Sequence, residues 1–245
     1  MKVRILELIE GAKEAKGLAV IIDVFRAFSL ECYLFDAGAS RCYPIGKLED
    51  AFAMKKTHPD YYLFGERKGA RVRGCDFGNS PSQARGTDFR GKTIIHTTSA
   101  GTQGIVNAAA AGATEIMTAS LVNARAAAAY ILSRNPGEVS IVAMGKAGLE
   151  TAGEDVLCAR YLEHLLKHPE AVRHPDADQF DIQQRADGLK STWGRHFFDA
   201  ASQEVFPIED FYLCTQCNRF PFVIRADRTE DGTLYTGRLD LPGQE

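Results

Sequence analysis

The chain has 245 residues and a formal net charge of −3, with 45% hydrophobic and 25% charged residues, the composition of an ordinary globular protein. The longest apolar run, residues 18–24, is interrupted by Asp23 and is too short to cross a bilayer, and neither half of the chain is basic enough for a nucleic-acid partner. The N-terminus does not read as a secretory signal, and six scattered cysteines fit a reducing compartment, so we expect a cytoplasmic protein.

Strand-like and helix-like segments alternate along the first two thirds of the chain. Short apolar runs predict strands at residues 18–23, 41–45, 61–64, 93–97, 114–119 and 139–144. The segments between and after them predict helices at residues 24–37, 47–56, 101–111, 123–134 and 153–168. This alternation indicates an α/β fold with a mainly parallel or mixed sheet flanked by helices. Ligands bind such sheets beyond the carboxyl ends of the strands, where loops enter helices.

The last third of the chain has a different pattern. Residues 168–190 are polar and hold two prolines, which predicts a surface segment with a short helix. Residues 193–205 predict a helix, and residues 211–225 and 234–241 predict a C-terminal antiparallel strand pair. We expect one α/β unit over residues 1–245, which subdivides into a catalytic core at 1–167 and a C-terminal segment at 168–245.

Two predicted strands each end in a carboxylate with an arginine close behind. Asp23 follows the first strand and Arg26 comes about one helical turn later, while Glu66 and Arg67 follow the third strand between two glycines. A carboxylate at the rim of a sheet can bind a metal or attack phosphorus. The alternatives are that Asp23 is a helix N-cap and that Glu66-Arg67 is a charged surface turn.

Two polar loops precede predicted helices. One crowds a carboxylate, an amide and a hydroxyl into a single turn, at Asp76, Asn79 and Ser80. The other leads from a strand into an alanine-rich helix, and its candidate anion-binding residues are Thr97, Thr98, Ser99, Gly101 and Thr102. The start of a helix binds phosphate or sulfonate well because its first N–H groups lack partners. An ordered turn and simple hydroxyl capping are the alternatives.

A fifth loop carries Lys146, and Glu154 and Asp155 follow it in the first turn of a helix. Together with Asp23 and Glu66, these acids can form a Mg²⁺ site, because that ion takes one or two carboxylates and completes its shell with water and substrate phosphate. The alternative is a helix start with favourable charge. All five loops fall at one edge of the inferred sheet.

The pair Cys214 and Cys217 has no partner at zinc spacing and is expected to be structural.

The blocks IDVFRA, GERKG, CDFGNSP, TTSAGT and GEDVLCA, in this order and spacing, resemble the signature blocks of the 2-phosphosulfolactate phosphatase (ComB-type) family. Residues 119–124 and 210–222 agree, so the resemblance covers almost the whole chain. It implies a ComB-like α/β fold, magnesium dependence, and hydrolysis of a phosphate ester on a sulfonated hydroxy acid, a step of coenzyme M biosynthesis. The chain departs from the family pattern at Phe28, Cys75, Ala100 and residues 146–148, which affects which acid fits.

The residues and the resemblance together give a hypothesis for the site. The expected catalytic residues are Asp23, Arg26, Glu66 and Arg67. The expected Mg²⁺ ligands are Asp23, Glu66, Glu154 and Asp155. The expected substrate-binding residues are Asp76, Asn79, Ser80, Thr97, Thr98, Ser99, Gly101, Thr102 and Lys146.

We therefore predict a Mg²⁺-dependent phosphatase for 2-phospho-3-sulfolactate or a closely related phosphorylated small acid. Its partners would be the small anionic substrate and, as the default for an enzyme of this size, a second copy in a homodimer, with no nucleic acid and no membrane. One alternative is a phosphatase for a different small phospho-acid. The other is a non-catalytic protein that binds an anionic metabolite.

Overall fold

One ten-stranded mixed sheet organises the chain in this computed structural model, which describes residues 1–241. The strands are β1 (Lys2–Glu7), β2 (Leu18–Ile22), β3 (Arg41–Pro44), β4 (Tyr62–Arg67), β5 (Ala70–Arg71), β6 (Thr93–Thr97), β7 (Glu115–Ala119), β8 (Glu138–Ala143), β9 (Phe222–Arg228) and β10 (Leu234–Asp240). Their order across the sheet is β1-β8-β2-β7-β9-β10-β3-β6-β4-β5.

Helices cover the sheet. They are α1 (Leu8–Lys13), α2 (Ala27–Asp36), α3 (Leu48–Thr57), α4 (Pro81–Ala84), α5 (Gly101–Ala110), α6 (Ala124–Arg134), α7 (Gly153–Lys167), α8 (Pro169–Arg173), α9 (Ile182–Gly188) and α10 (Ile208–Cys214). Short 3₁₀ turns lie at residues 121–123, 175–177, 189–191, 195–198 and 200–202. No helix within residues 1–241 is long and apolar enough to span a membrane.

Strand β2 is buried along its whole length because helices cover both faces of the sheet around it. Leu18, Val20 and Ile22 pack into the core that contains residues of α6 and α7. Ala19 and Ile21 point to the opposite face and pack into the core that contains residues of α1 and α5. This double burial fixes the end of β2, from which Asp23 emerges.

The two C-terminal strands lie in the middle of the sheet. β1, β8, β2 and β7 pair in parallel, and so do β3, β6 and β4. Between these groups, β9 pairs antiparallel with β7, and β10 pairs antiparallel with both β9 and β3. Three successive reversals make the two parallel groups run in opposite directions. The candidate loops therefore do not share one edge of a single parallel group, as was expected, although the loop after β2 still contacts the loop after β6 through Asp23 and Gly101.

The α/β fold and the C-terminal antiparallel pair are confirmed, and the six predicted strands and five predicted helices of the first two thirds lie close to their predicted positions. Part of the last third was wrong. Residues 211–214, predicted to begin a strand, belong to α10, since Pro207 precedes this helix and two acids occupy its first turn. The helix predicted at 193–205 is replaced by 3₁₀ turns, where the Asp199 side chain accepts the Ala201 N–H and competes with helical bonding.

A carboxyl side chain, Glu31 of α2, is buried in the core. The Thr236 hydroxyl donates to its Oε1, and the Thr118 hydroxyl lies 3.4 Å from its Oε2. Burial raises the pKa of Glu31 from 4.5 to about 7, because the charged form loses its hydration and the hydroxyl donors only partly replace it. Glu31 therefore favours the folded state most strongly while it is protonated.

We predict that Glu31→Gln changes how stability depends on pH. In the native protein the contribution of Glu31 is complete below pH 4.5 and is lost as the pH rises through about 7. The variant has no ionisable group at this position and so does not lose this stability. The difference in unfolding free energy, variant minus native protein, should therefore rise by up to about 3 kcal/mol between pH 4.5 and pH 8. Urea unfolding across this range measures the difference. Glu10→Gln at an exposed site is the control, and a constant difference for Glu31→Gln would contradict the prediction.

Candidate active site

Asp23 joins the start of two helices directly after β2. Its Oδ1 accepts the N–H of Ala27, the first residue of α2, at 3.1 Å, and its Oδ2 accepts the N–H of Gly101, the first residue of α5, at 3.0 Å. A Cβ at position 101 would lie 3.0 Å from Asp23 Oδ2, so a glycine permits this close approach. Asp23 is thus not the N-cap residue of α2, which is Arg26, but its carboxylate accepts the first N–H group of both helices.

Asp155 fixes the loops after β2 and β8. Its Oδ1 accepts the Val24 N–H at 2.7 Å and its Oδ2 accepts the Gly145 N–H at 2.8 Å. The neighbouring Glu154 is also buried, and its Oε2 has no hydrogen-bond partner in the part of the chain that the structure describes. A buried carboxylate oxygen without a partner is costly, so Glu154 marks a position that favours a cation or a proton.

These acids lie close enough to repel each other. Burial, together with the charge of Glu66, raises the pKa of Asp23 to about 6, against the lowering effect of the backbone N–H groups of Ala27 and Gly101. Burial and the charge of Asp23 raise the pKa of Glu154 to about 7. Burial and the charges of Asp23 and Glu154 hold the pKa of Asp155 well above its usual range. Asp23 therefore interacts electrostatically with each of the other three predicted metal ligands.

Glu66 connects β4 to the loop after β6. Its Oε1 accepts the Gly69 N–H at 2.5 Å and the Ser99 hydroxyl at 3.2 Å, while its Oε2 accepts the Ser99 N–H at 3.3 Å. Arg67 donates to the Thr97 hydroxyl at 3.1 Å from Nη2 and to the Glu66 carbonyl at 2.6 Å from Nη1. These contacts place Glu66 and Arg67 in the site and give them positioning partners within the protein.

The N–H groups before and at the start of α5, predicted to bind an anion, already have acceptors. Those of Gly101 and Ser99 donate to Asp23 and Glu66, and that of Thr102 donates to the Thr98 hydroxyl at 3.1 Å. The predicted anion-binding residues are thus brought together as expected from their spacing. However, the protein's own carboxylates take two of the N–H donors that were predicted for phosphate.

Arg26 is buried and holds the C-terminal segment against the site. Its Nη1 donates to Asp210 Oδ2 at 2.8 Å and to the Val205 carbonyl at 2.9 Å, and its Nη2 donates to the Gly69 carbonyl at 2.7 Å. Asp210 is also fully buried, and its Oδ1 accepts the Ser82 N–H at 2.8 Å. The guanidinium predicted to bind anionic oxygens is therefore engaged within the protein.

The side chains of the loop at residues 76–80 are engaged by neighbouring elements of the protein. Asp76 pairs with Lys55 at 2.9 Å and accepts the Leu63 N–H at 2.8 Å, and the Ser80 hydroxyl accepts the Gln83 N–H at the start of α4. Asn79 Oδ1 lies 3.1 Å from His96 Nε2. Burial lowers the pKa of His96 to about 4, so its imidazole is neutral at neutral pH.

Residues 189–207 cover part of the site. Trp193 packs on the backbone of Gly153, where a Cβ would lie 2.1 Å from Trp193 Nε1. Burial lowers the pKa of His196, and the nearby charges of Arg26 and Lys146 lower it further. Lys146 itself is exposed. Neither Asp210 nor His196 gave an individual sequence signal, although Asp210 opens one of the family-like blocks.

Within residues 1–241, no group of three or more His, Cys, Asp or Glu side chains is arranged to hold a metal ion. The coupled acids at 23, 66, 154 and 155 therefore do not form a closed cage. Cys214 is buried and Cys217 half-buried, and both are free thiols.

Comparisons with known proteins identify related chains. A family model described as 2-phosphosulpholactate phosphatase matches residues 3–228. The chain is 31% identical over 219 residues to a probable 2-phosphosulfolactate phosphatase of Bacillus subtilis, with 89% of each chain covered. It is 35% identical over 243 residues to a protein of the same name from Carboxydothermus hydrogenoformans, with 98% of this chain and 96% of the relative covered.

We predict that Asp210→Asn destabilises the protein strongly. The change leaves the buried Arg26 guanidinium without its carboxylate, and removing one partner of a buried ion pair costs about 3–5 kcal/mol. Urea unfolding measures this loss. Asp227→Asn is the matched control, because the Arg225–Asp227 pair is partly exposed and should contribute below about 1 kcal/mol. Equal effects of the two changes would refute the assignment of Arg26 and Asp210 as a buried link.

Proposed function

Because the chain belongs to the 2-phosphosulpholactate phosphatase family, we propose that it hydrolyses the phosphate monoester of 2-phosphosulfolactate or of a closely related phosphorylated small acid. Family membership makes it a hydrolase of phosphoric monoesters. The family match over residues 3–228 carries this proposal. The coupled acids at positions 23, 66, 154 and 155 support it, since they give the site the carboxylates that phosphoryl transfer requires.

We propose Mg²⁺ as the cofactor, with Glu154 and Asp23 as its ligands. The partnerless Oε2 of Glu154 fits a cation, and each oxygen of Asp23 keeps a lone pair beyond its single backbone hydrogen bond. One or two carboxylates are enough for this ion, which completes its shell with water and phosphate, so a three-residue cage is not required. The bound ion would offset negative charge on the phosphoryl oxygens.

The protein's own residues then have distinct tasks. Asp155 and Glu66 hold the surrounding loops through backbone N–H groups, and this fixes the direction in which Asp23 faces. Asp23 either attacks phosphorus as the ester P–O bond breaks, or takes a proton from the water that attacks. The first route forms an aspartyl-phosphate that hydroxylamine cleaves, and the second forms none.

The pathway, the cellular location and the oligomeric state are proposed from the sequence alone. A coenzyme M pathway, a cytoplasmic location and a homodimer rest on the resemblance and on general expectations. A phosphatase for a different small phospho-acid is the nearest alternative, and a panel of phosphate esters distinguishes it. A non-catalytic anion binder is disfavoured, because clustered carboxylates repel an anion and would not contribute to binding one.

We predict that Asp23→Asn reduces kcat for phosphate release by about 10²–10⁴-fold, the size of effect of a missing acid–base or nucleophilic group. The fold should remain, because the amide oxygen still accepts one of the two backbone N–H groups. Phosphate release and circular dichroism measure the two effects. Asp36→Asn at the exposed end of α2 is the control. Normal turnover by Asp23→Asn would disprove its catalytic role.

We predict that Mg²⁺ raises the thermal unfolding temperature and that Glu154→Gln removes this rise. At a Mg²⁺ concentration of 100 times Kd the native protein should gain about 2.7 kcal/mol. The variant loses the charged ligand and should gain little. Calorimetry with Mg²⁺ and with chelator tests this without any need for turnover. Glu163→Gln on the outer part of α7 is the control, and an equal rise in Glu154→Gln would argue against this metal site.

A further inference from the structure

A cavity of about 510 Å³ lies beside the coupled acids. The β4–β5 hairpin, residues 76–80 and residues 204–205 surround it. Two lining residues connect it to the acids. The Gly69 N–H donates to Glu66 Oε1, and the charge of Arg26 acts on Asp23. The cavity is therefore next to the place where phosphate chemistry is proposed, and Arg26 and Gly69 belong to both regions.

The cavity contains one cationic side chain that is not engaged by a carboxylate. Arg26 pairs with the buried Asp210, and Asp76 pairs with Lys55. Arg71 makes a 3.4 Å contact with the Asp76 carbonyl, and among residues 1–241 it forms no ion pair. Its guanidinium is thus the cavity's available binding group for an anion.

The loop beside the cavity is shaped around the stem of Arg71. A Cβ at Gly78 would lie 3.1 Å from Arg71 Cβ, so the absence of a side chain at position 78 allows the stem to pack there. The same loop contributes Asn79 and Ser80 to the lining. The lining also holds the carboxylates of Asp76, which pairs with Lys55, and of Glu204, so Arg71 is the group of the wall that favours an acidic ligand able to accept several hydrogen bonds.

We propose that this cavity binds the acidic group of the substrate that is not transferred, a sulfonate or a carboxylate, and that Arg71 is its principal cation. The inference rests on the proposed function, since 2-phosphosulfolactate bears a sulfonate and a carboxylate besides its phosphate. The phosphate faces the acids around Asp23, and the remaining acidic end lies in the adjoining cavity beside Arg26 and Gly69. Arg71 then determines which phosphate esters the enzyme accepts.

Equilibrium binding of 3-sulfolactate, measured by calorimetry, tests the cavity without turnover. Arg71→Met keeps the length of the stem and removes the charge, so affinity should fall at least about tenfold, the size expected for a charge-assisted hydrogen bond. Glu204→Gln removes the acid at the same cavity, and its affinity should be equal or higher. Arg71→Lys should recover part of the loss, and thermal unfolding shows whether each variant is folded.

Two outcomes of the titration would overturn the proposal: undiminished affinity in Arg71→Met, or no binding of 3-sulfolactate to the native protein. Lactate, which has only the carboxylate, forms the second arm. If lactate binds and Arg71→Met lowers its affinity as much as that of 3-sulfolactate, the carboxylate is the recognised group. If 3-sulfolactate binds and lactate does not, the sulfonate is the recognised group.

Steady-state kinetics on two phosphate esters distinguish a failure of the role of Arg71 from a failure of the proposed function. Arg71→Met should raise KM for 2-phosphosulfolactate about tenfold or more, keep kcat within about threefold, and leave kcat/KM for 4-nitrophenyl phosphate unchanged. Equal losses on both substrates would overturn the role of Arg71 in specificity. If the native protein releases no phosphate from 2-phosphosulfolactate, the proposed function fails, and the 3-sulfolactate titration still decides the role of Arg71.

Discussion

Backbone N–H groups hold buried carboxylates in this molecule, and the geometry of the site depends on them. Asp23 is fixed by Ala27 and Gly101, and Asp155 by Val24 and Gly145. A buried charge is tolerated only with such donors, so each acid determines the course of two loops as well as its own position. Repulsion between the acids opposes this arrangement, and a proton or a cation bound among them would relieve it.

Much of the fold could be predicted from the sequence, because the signals for its elements are local. The apolar run of β2 and the amphipathic helices lie where their periodicity places them. The relative direction of the two parallel groups could not be predicted. It depends on β9 and β10, which pair with β7 and β3, strands that lie about a hundred or more residues earlier in the chain. Nothing in the pattern of an isolated strand indicates which neighbour it will find.

The candidate site, too, could be predicted from the sequence only in part. The spacing of polar residues after strands identified Asp23, Glu66, Glu154 and Asp155, and these acids do interact. The partner of Arg26 could not be predicted, since Asp210 is 184 residues away and lies in a helix that the sequence pattern did not indicate. Local pattern therefore identified the groups that carry charge, and only the tertiary structure shows which of these charges are already compensated.

The central position of β9 and β10 has a consequence for biosynthesis. Until the last strands emerge from the ribosome, β7 and β3 lack their neighbours, and each presents unpaired backbone groups along a sheet edge. Such edges are prone to pairing with other chains, and closing contacts over so large a sequence separation is slow. A nascent or truncated chain of this family should consequently depend on chaperones more than a protein whose sheet is completed in chain order.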